Sequence, residues 1–211
     1  MTDYPTITYP RIGLLIDGEW IYDRPTLANV ENPSTEAILG TVPRASAADL
    51  TAALESSARG FEVWRKTLPS ARAALMRRAA ALVRERVEAI APIFVAESGR
   101  TLTEVRNEIE RSATFLDWDS EELKRNYGRI VPSEGQYTQY VVREPIGPVA
   151  AFTPWNVPMS APSRKISASL ATGCSIILKP SSETPATACL FAQCFLDAGL
   201  PPGVLNVVFG D

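Results

Sequence analysis

The sequence predicts an α/β fold in which a parallel sheet is preceded by a helical region and by hairpin strands. Two patterns carry that prediction. From Ile146 onward, short apolar runs alternate with stretches of helical length, and before them lies a long region whose apolar residues recur at helical spacings. Composition agrees: 211 residues with 45% hydrophobic content, 21% charged content and a net charge of −3 belong to a globular chain, and exclude both a disordered chain and a polybasic nucleic-acid binder.

Residues 14–42 hold two strand-like runs, "LLIDGEW" and "AILGTVP", joined by the turn-forming "ENPST", as in hairpins wrapped around something larger. A helix is predicted over Ala47–Trp64. Ser46 is its candidate N-cap with Asp49 at N3, and Leu50, Leu54, Ala58 and Phe61 form the apolar stripe. A second helix begins near Ser70 and carries Leu75, Ala79, Leu82, Val83, Ile90, Phe94 and Val95. The arginines Arg77, Arg78, Arg84 and Arg86 fall among its polar positions, interleaved with Glu85 and Glu88, which reads as a solvated face. A third helix spans about Thr103 to Tyr127, with Val105, Ile109, Phe115, Leu116 and Leu123 inward.

The period then changes. "YTQYVVRE" alternates as a half-exposed strand, and the rest reads as strand "GPVAAF", helix Ser160–Ala171 closed by Gly173, strand "CSIILK", helix Pro185–Ala198 closed by Gly199, and strand "VLNVVF". Thr184-Pro185 supplies an N-cap and a proline at N1. Strands this apolar imply a parallel sheet covered on both faces, and three of them ending at "VVFGD" leave an open apolar edge after the last. On that ground the chain is expected to be a fragment.

Chemistry is bounded by what is missing. The chain has no histidine, so a histidine triad, a histidine-ligated metal and a histidine base are excluded within it, and no metal site is expected. Cys174, Cys189 and Cys194 lie in apolar surroundings without ligand spacing, and read as buried structural thiols. The first twenty or so residues lack the pattern of a secretory signal, and no apolar run reaches membrane-spanning length, so a cytoplasmic protein without nucleic-acid or membrane partners is expected.

In a doubly wound sheet, ligands bind beyond the carboxyl ends of the strands. Those positions hold Thr153, Pro154, Trp155 and Asn156 after the first strand, Lys179 to Ser182 after the second and Gly210 after the third. From local pattern, Asn156 is either a turn residue bonding its own backbone or a neutral donor held by flanking prolines; Lys179 is either a solvated strand-end lysine or a cation facing a ligand.

With "PWNVP", "ATGCSIILKPSSETP" and "AGLPPGVLNVVFG", and with "DGEW", "NPST", "ESGRTLTEVRNEI" and "EELKRNYGRIVP" in order, the chain resembles the first half of an NAD(P)-dependent aldehyde dehydrogenase nearly end to end. Arg164-Lys165 after the asparagine motif is similar to the succinate-semialdehyde dehydrogenases. The resemblance implies an aldehyde dehydrogenase-like fold with a partial Rossmann-type sheet, truncated before the catalytic domain. It divides the chain into N-terminal strands and helices of the cofactor domain (1–134), an oligomerisation strand (135–145) and the first βαβαβ part of the cofactor fold (146–211).

The implied function is oxidation of a small aldehyde, such as succinate semialdehyde, to the acid. Asn156 would donate to the oxyanion, Thr153, Pro154, Trp155, Lys179, Ser182 and Gly210 would hold NADP or NAD, and Arg164 would hold a substrate carboxylate. For Arg164 the alternative is a surface arginine paired with the third helix. Ser182 stands where the family commonly has a ribose-binding glutamate, so room is left for a 2'-phosphate and NADP is expected to be tolerated or preferred; the neighbouring Glu183 opposes this. The nucleophilic cysteine and base glutamate would lie beyond Asp211. An intact enzyme would be a homodimer or homotetramer, and this chain alone would be inactive. The alternative is a non-catalytic remnant that binds nucleotide or joins an oligomer.

Overall fold

The computed structural model describes residues 7–210; residues 1–6, part of the segment read for a targeting signal, and residue 211 lie outside the described residues. The chain begins with hairpins, but not the one expected. "LLIDGEW" is itself a hairpin, β1 (Leu14–Ile16) and β2 (Glu19–Ile21), turning on Asp17 and Gly18 at φ 56° and 84°. The "AILGTVP" run forms β4 (Ile38–Pro43), and its partner is β3 (Leu27–Glu31), a strand not foreseen; Asn32 Oδ1 accepts from Ser34 N–H within the connecting turn.

α1 (Ala47–Trp64) opens with the expected capping box: Ser46 Oγ accepts from Asp49 N–H at 3.2 Å and Asp49 Oδ2 accepts from Ser46 N–H at 2.8 Å. Its buried face differs from the predicted stripe. Ala53, Ser56, Ser57, Gly60 and Trp64 face inward, whereas Leu50 and Leu54 are exposed. Small residues are needed there because α1 lies against the loop before the last strand: a Cβ at Gly60 would come within 2.2 Å of the Gly203 carbonyl carbon.

The single second helix is two, α2 (Pro69–Glu85) and α3 (Val87–Ser98), broken at Arg86 (φ −96°, ψ 10°). Pro92 lies inside α3, six residues past the break. It cannot donate a backbone bond, so the Glu88 carbonyl one turn earlier loses its partner within the helix. The arginines of this region are not simply solvated: Arg77, Arg84 and Arg86 pair with Glu121, Glu110 and Asp197, and Arg78 donates to the Ala198 carbonyl. α4 (Leu102–Glu122) continues into a short 3-10 turn at Leu123–Arg125, with Phe115 only partly buried. β5 (Arg129–Val131) and β6 (Gln139–Val141) form a separate two-stranded sheet; all three β6 residues are exposed, not half of them.

The last third follows the predicted alternation: β7 (Val149–Phe152), α5 (Ser160–Thr172), β8 (Ile176–Lys179), α6 (Pro185–Asp197) and β9 (Leu205–Val207). β7, β8 and β9 are parallel, and Gly173 closes α5 in the left-handed region at φ 90°. The sheet order is β2-β1-β9-β8-β7, so β9 is not the open edge; Leu15 pairs with Val207 and the first hairpin covers it. The uncovered parallel strand is β7. Its Phe152 is 69% exposed, which also corrects the expectation of a sheet covered on both faces. Among the described residues no helix is long and apolar enough to cross a membrane.

At the start of α1 the Arg24 guanidinium hydrogen-bonds the buried Asp49 carboxylate and holds its pKa down at about 2. Because the folded-state pKa is lowered, the stabilisation is complete above the ordinary carboxylate range near about 4 and is lost as pH falls toward 2. Urea unfolding of the wild type should therefore lose about 2 kcal/mol more over that interval than unfolding of Asp49→Asn.

Candidate functional site

The carboxyl ends of β7, β8 and β9 lie on one rim. The ladder continues past β7, where Thr153 N–H donates to the Lys179 carbonyl at 3.2 Å, and the Val208 N–H closes the β8–β9 side on the Leu178 carbonyl at 2.9 Å. Proline after each of the first two strands stops further pairing, so the chain turns outward at Pro154 and Pro180.

Trp155, Lys179, Ser182 and Gly210 line one cleft of about 590 Å³, closed on the far side by Asn29 and Glu31 of the β3–β4 hairpin. Four of the eight residues picked from the sequence thus meet in one place. Lys179 is partly exposed and has no ion-pair partner among the described residues. The Ser181 hydroxyl donates to the Glu183 carboxylate, so that acid is tied into the same loop and also lines the cleft. Thr184 Oγ1 is buried on this wall without a partner.

The other four lie outside the cleft. Thr153 is buried with an unpartnered hydroxyl, and Pro154 is exposed. Asn156 is exposed, and its carboxamide has no hydrogen-bond partner among the described residues, so the self-bonding turn expected as its alternative does not form. Arg164 is exposed on α5 with its guanidinium 5.0 Å from the Phe115 ring centre; it does contact the third predicted helix, by stacking over a ring.

Beside the cleft an apolar groove of about 440 Å³ crosses the sheet face, lined by Leu50, Leu54, Ala150, Phe152, Ile177 and Phe209. Here the misplaced α1 stripe has its surroundings. A larger hollow of about 720 Å³ lies between Tyr9, Tyr22 and Leu27, but its Arg11 and Arg24 are both paired with acids.

No cysteine reaches the rim. Cys174, Cys189 and Cys194 are buried; burial pushes the Cys194 thiol up to about 11 and holds Cys189 higher still.

Two glutamates that sequence reading passed over hold the rim in place. α5 begins at Met159–Ser160 without a side-chain cap of its own, and Glu108 of α4 supplies one: its Oε1 accepts from Met159 N–H at 3.2 Å and Ser160 N–H at 3.1 Å, while Arg100 pairs with Oε2. Glu97 of α3 does the same for α6, accepting from Ala186 N–H and Thr187 N–H. Thr184 stands at the predicted N-cap but makes no capping bond. Both acids had a legible signal. Each sits on its helix's apolar stripe, Glu97 after Ile90, Ile93 and Phe94, and Glu108 between Val105 and Ile109.

A family model described as the aldehyde dehydrogenase family matches residues 20–211. The chain is 40% identical over 207 residues to a 4-(hydroxymethyl)benzenesulfonate dehydrogenase of Comamonas testosteroni, covering 97% of this chain and 43% of that protein. It is 43% identical over 172 residues to a succinate-semialdehyde dehydrogenase of Paenarthrobacter nicotinovorans, covering 81% of this chain and 38% of that one. A crystal structure described as an E. coli NADP dependent enzyme matches with a TM-score of 0.92 and 37% identity, over 95% of this chain and 42% of that chain. The chain spans less than half the length of the relatives it matches.

Glu108→Ala leaves two buried N–H groups without acceptors at the start of α5, and should destabilise the chain by about 3 kcal/mol in chemical denaturation. Amide exchange at Met159 and Ser160 should rise with it; unchanged exchange there would show that Glu108 is not their cap.

Proposed function

The chain belongs to the aldehyde dehydrogenase family, and from that premise we propose that it carries the nucleotide cradle and the oxyanion donor for NAD(P)-dependent oxidation of an aldehyde to its acid. The observation that carries this reading is the convergence of Trp155, Lys179, Ser182 and Gly210 on one cleft at the carboxyl ends of three parallel strands.

The residues present suit a dinucleotide. Lys179 offers an uncommitted ammonium and Ser182 a hydroxyl, and the orphaned Thr184 hydroxyl is a buried group that a ribose oxygen would satisfy. The bound cofactor supplies the acceptor for hydride. Asn156, with an unpaired carboxamide on the adjacent turn, would donate to an oxygen that becomes negative as a thiolate adds to the aldehyde carbon. A neutral, oriented amide stabilises that charge without competing for a proton. Thr153 and Pro154 fix the backbone from which it projects. The three cysteines supply no such thiolate at the rim, so nucleotide binding without turnover is what this chain is expected to show by itself.

Arg164, kept in place by the Phe115 ring, is proposed to hold the acidic end of the substrate. Both curated relatives described above are named for molecules with an acidic group, a sulfonate and a succinate, which supports succinate semialdehyde or a close acidic analogue. NADP is the proposed cofactor or an accepted one. Ser182 leaves room for a 2'-phosphate and Lys179 balances it, and the similar E. coli structure is described as NADP dependent. The exposed β5–β6 hairpin, with Ile130 and Tyr140 outward, is proposed to join a second copy.

Titration of tryptophan fluorescence with NADPH and NADH tests the cleft, since Trp155 lines it. Saturable quenching is expected, weakened by about tenfold or more in Lys179→Ala. Absence of quenching by either nucleotide would overturn the reading. Ser182→Glu should weaken NADPH more than NADH by a further factor of about ten, because a carboxylate would face the 2'-phosphate; equal weakening of both would remove the proposed role of Ser182.

A further inference from the structure

The amino end of α6 borders the cleft, and its backbone donors are taken by a side chain from another layer of the fold. Thr184 has the sequence position of a cap, but its backbone lies at φ −133° and ψ 51°, its side chain makes no capping bond, and its hydroxyl is buried unpaired. The bonds go to Glu97. Ala186 N–H donates to Oε1 at 2.7 Å, and Thr187 donates to Oε2 through its N–H at 2.9 Å and its hydroxyl at 2.6 Å.

Tyr9 closes the shell by donating its hydroxyl to Oε1. A Cβ at Gly40 would come within 2.7 Å of the Tyr9 ring, so β4 is built to leave that ring its place. The Glu97 residue is 3% exposed and forms part of the cleft wall. Four donors on two oxygens suit the ionised carboxylate, although burial pushes its pKa upward.

A helix start that follows a parallel strand is the usual seat for a nucleotide's phosphate, because its free N–H groups and dipole favour an anion. Here the seat is filled from within. We infer that Glu97 is a positioning residue whose carboxylate takes the place of an external anion at the amino end of α6, excluding phosphate from that helix end and fixing the 180–184 loop that carries Ser182 beside Lys179. The second half rests on the nucleotide reading of the cleft; the first does not. A bound nucleotide must then place its phosphates away from Ala186 and Thr187, toward the uncommitted Lys179 or beyond Gly210.

The test uses the full chain, labelled with nitrogen-15, and inorganic phosphate as the probe. In wild type, the Ala186 and Thr187 amide signals should not move on phosphate addition, whereas in Glu97→Ala both should shift saturably as phosphate takes the vacated place. Shifts of those amides in wild type, or none in a folded variant, would overturn the inference. If Glu97→Ala does not fold, Glu97→Ser carries the same titration, its short side chain likewise leaving the place of the carboxylate open.

NADPH affinity is then compared between wild type and the truncated variant that folds, with helix content followed by circular dichroism. A weakening of about fivefold or more at unchanged helix content is expected, the equivalent of a lost cap passed on to the loop. Unchanged affinity in a variant whose helix end has become open to phosphate would overturn the positioning half. Failure of wild type to bind NADPH would sink the nucleotide reading, while the phosphate titration would still decide what occupies the helix end.

Discussion

Every crossover helix in a buried parallel sheet starts with N–H groups that have no partner within the helix. In this chain that constraint is met from a distance. α5 and α6 begin directly behind the rim, at Ser160 and Pro185, and neither start carries a side-chain cap of its own. Glu108 and Glu97, from the consecutive helices α4 and α3, meet the need at both places. An uncapped buried donor costs about 1–3 kcal/mol, so the helical layer and the sheet layer cannot separate without exposing several such groups at once. The stretch from Glu97 to Glu108 is therefore a brace, with Arg100 paired to one end of it.

The same economy of contacts governs the other side of the sheet. α1 could lie close to β9 only with small residues at the crossing, and Gly60 and Gly203 meet there with no room for a methyl group on either. Close approach buries polar groups, which then satisfy one another: the Ser56 hydroxyl reaches both Asp17 and the Asn206 side-chain oxygen, Asp17 N–H donates to that same oxygen, and Ser57 bonds Ser175. Asn206 is thus a buried polar residue inside β9 because it ties the β1–β2 turn to the sheet. Attachment of the first hairpin to the last strand follows from that tie.

These facts explain what sequence pattern could and could not give. The alternation of β7 to β9 was legible because apolar runs, Gly173 and the two helices agree on every local signal. The face of α1 was not. Periodicity assigns Leu50 and Leu54 inward because it ranks residues by hydrophobicity, whereas the geometry of close packing selected Ala53, Ser56 and Gly60 and left the leucines over the groove. The open edge differs from expectation for a related reason: chain order makes β9 last, but strand order is set by a pairing with residues far away in sequence. Thr184 shows the limit of local capping rules. A Thr-Pro pair describes a helix start correctly, yet the donors there went to an acid that only the tertiary fold brings near. Of the rim, Trp155, Lys179, Ser182 and Gly210 are legible as strand-end residues meeting on one cleft, whereas the two glutamates behind it cap helix starts 51 to 90 residues away, which no local pattern shows.

A donor aimed at transient charge must be held still while remaining unpaired, and those demands conflict in a buried place. In the turn carrying Asn156, the proposed donor, the two are separated. The carboxamide itself is exposed, where water satisfies it in the resting state at little cost, while the backbone that aims it is fixed three and four residues later by the buried Glu108 contacts to Met159 and Ser160. Pro154 and Pro158 limit the conformations between those anchors. Order is thus imposed from the protein side of the turn, and the side proposed to meet the substrate stays open. The cleft follows the same division, with Glu97 holding Ala186 and Thr187 from behind while Lys179 faces outward without a partner among the described residues. Buried anions do the holding, and the groups proposed to meet substrate and cofactor are left free to bind.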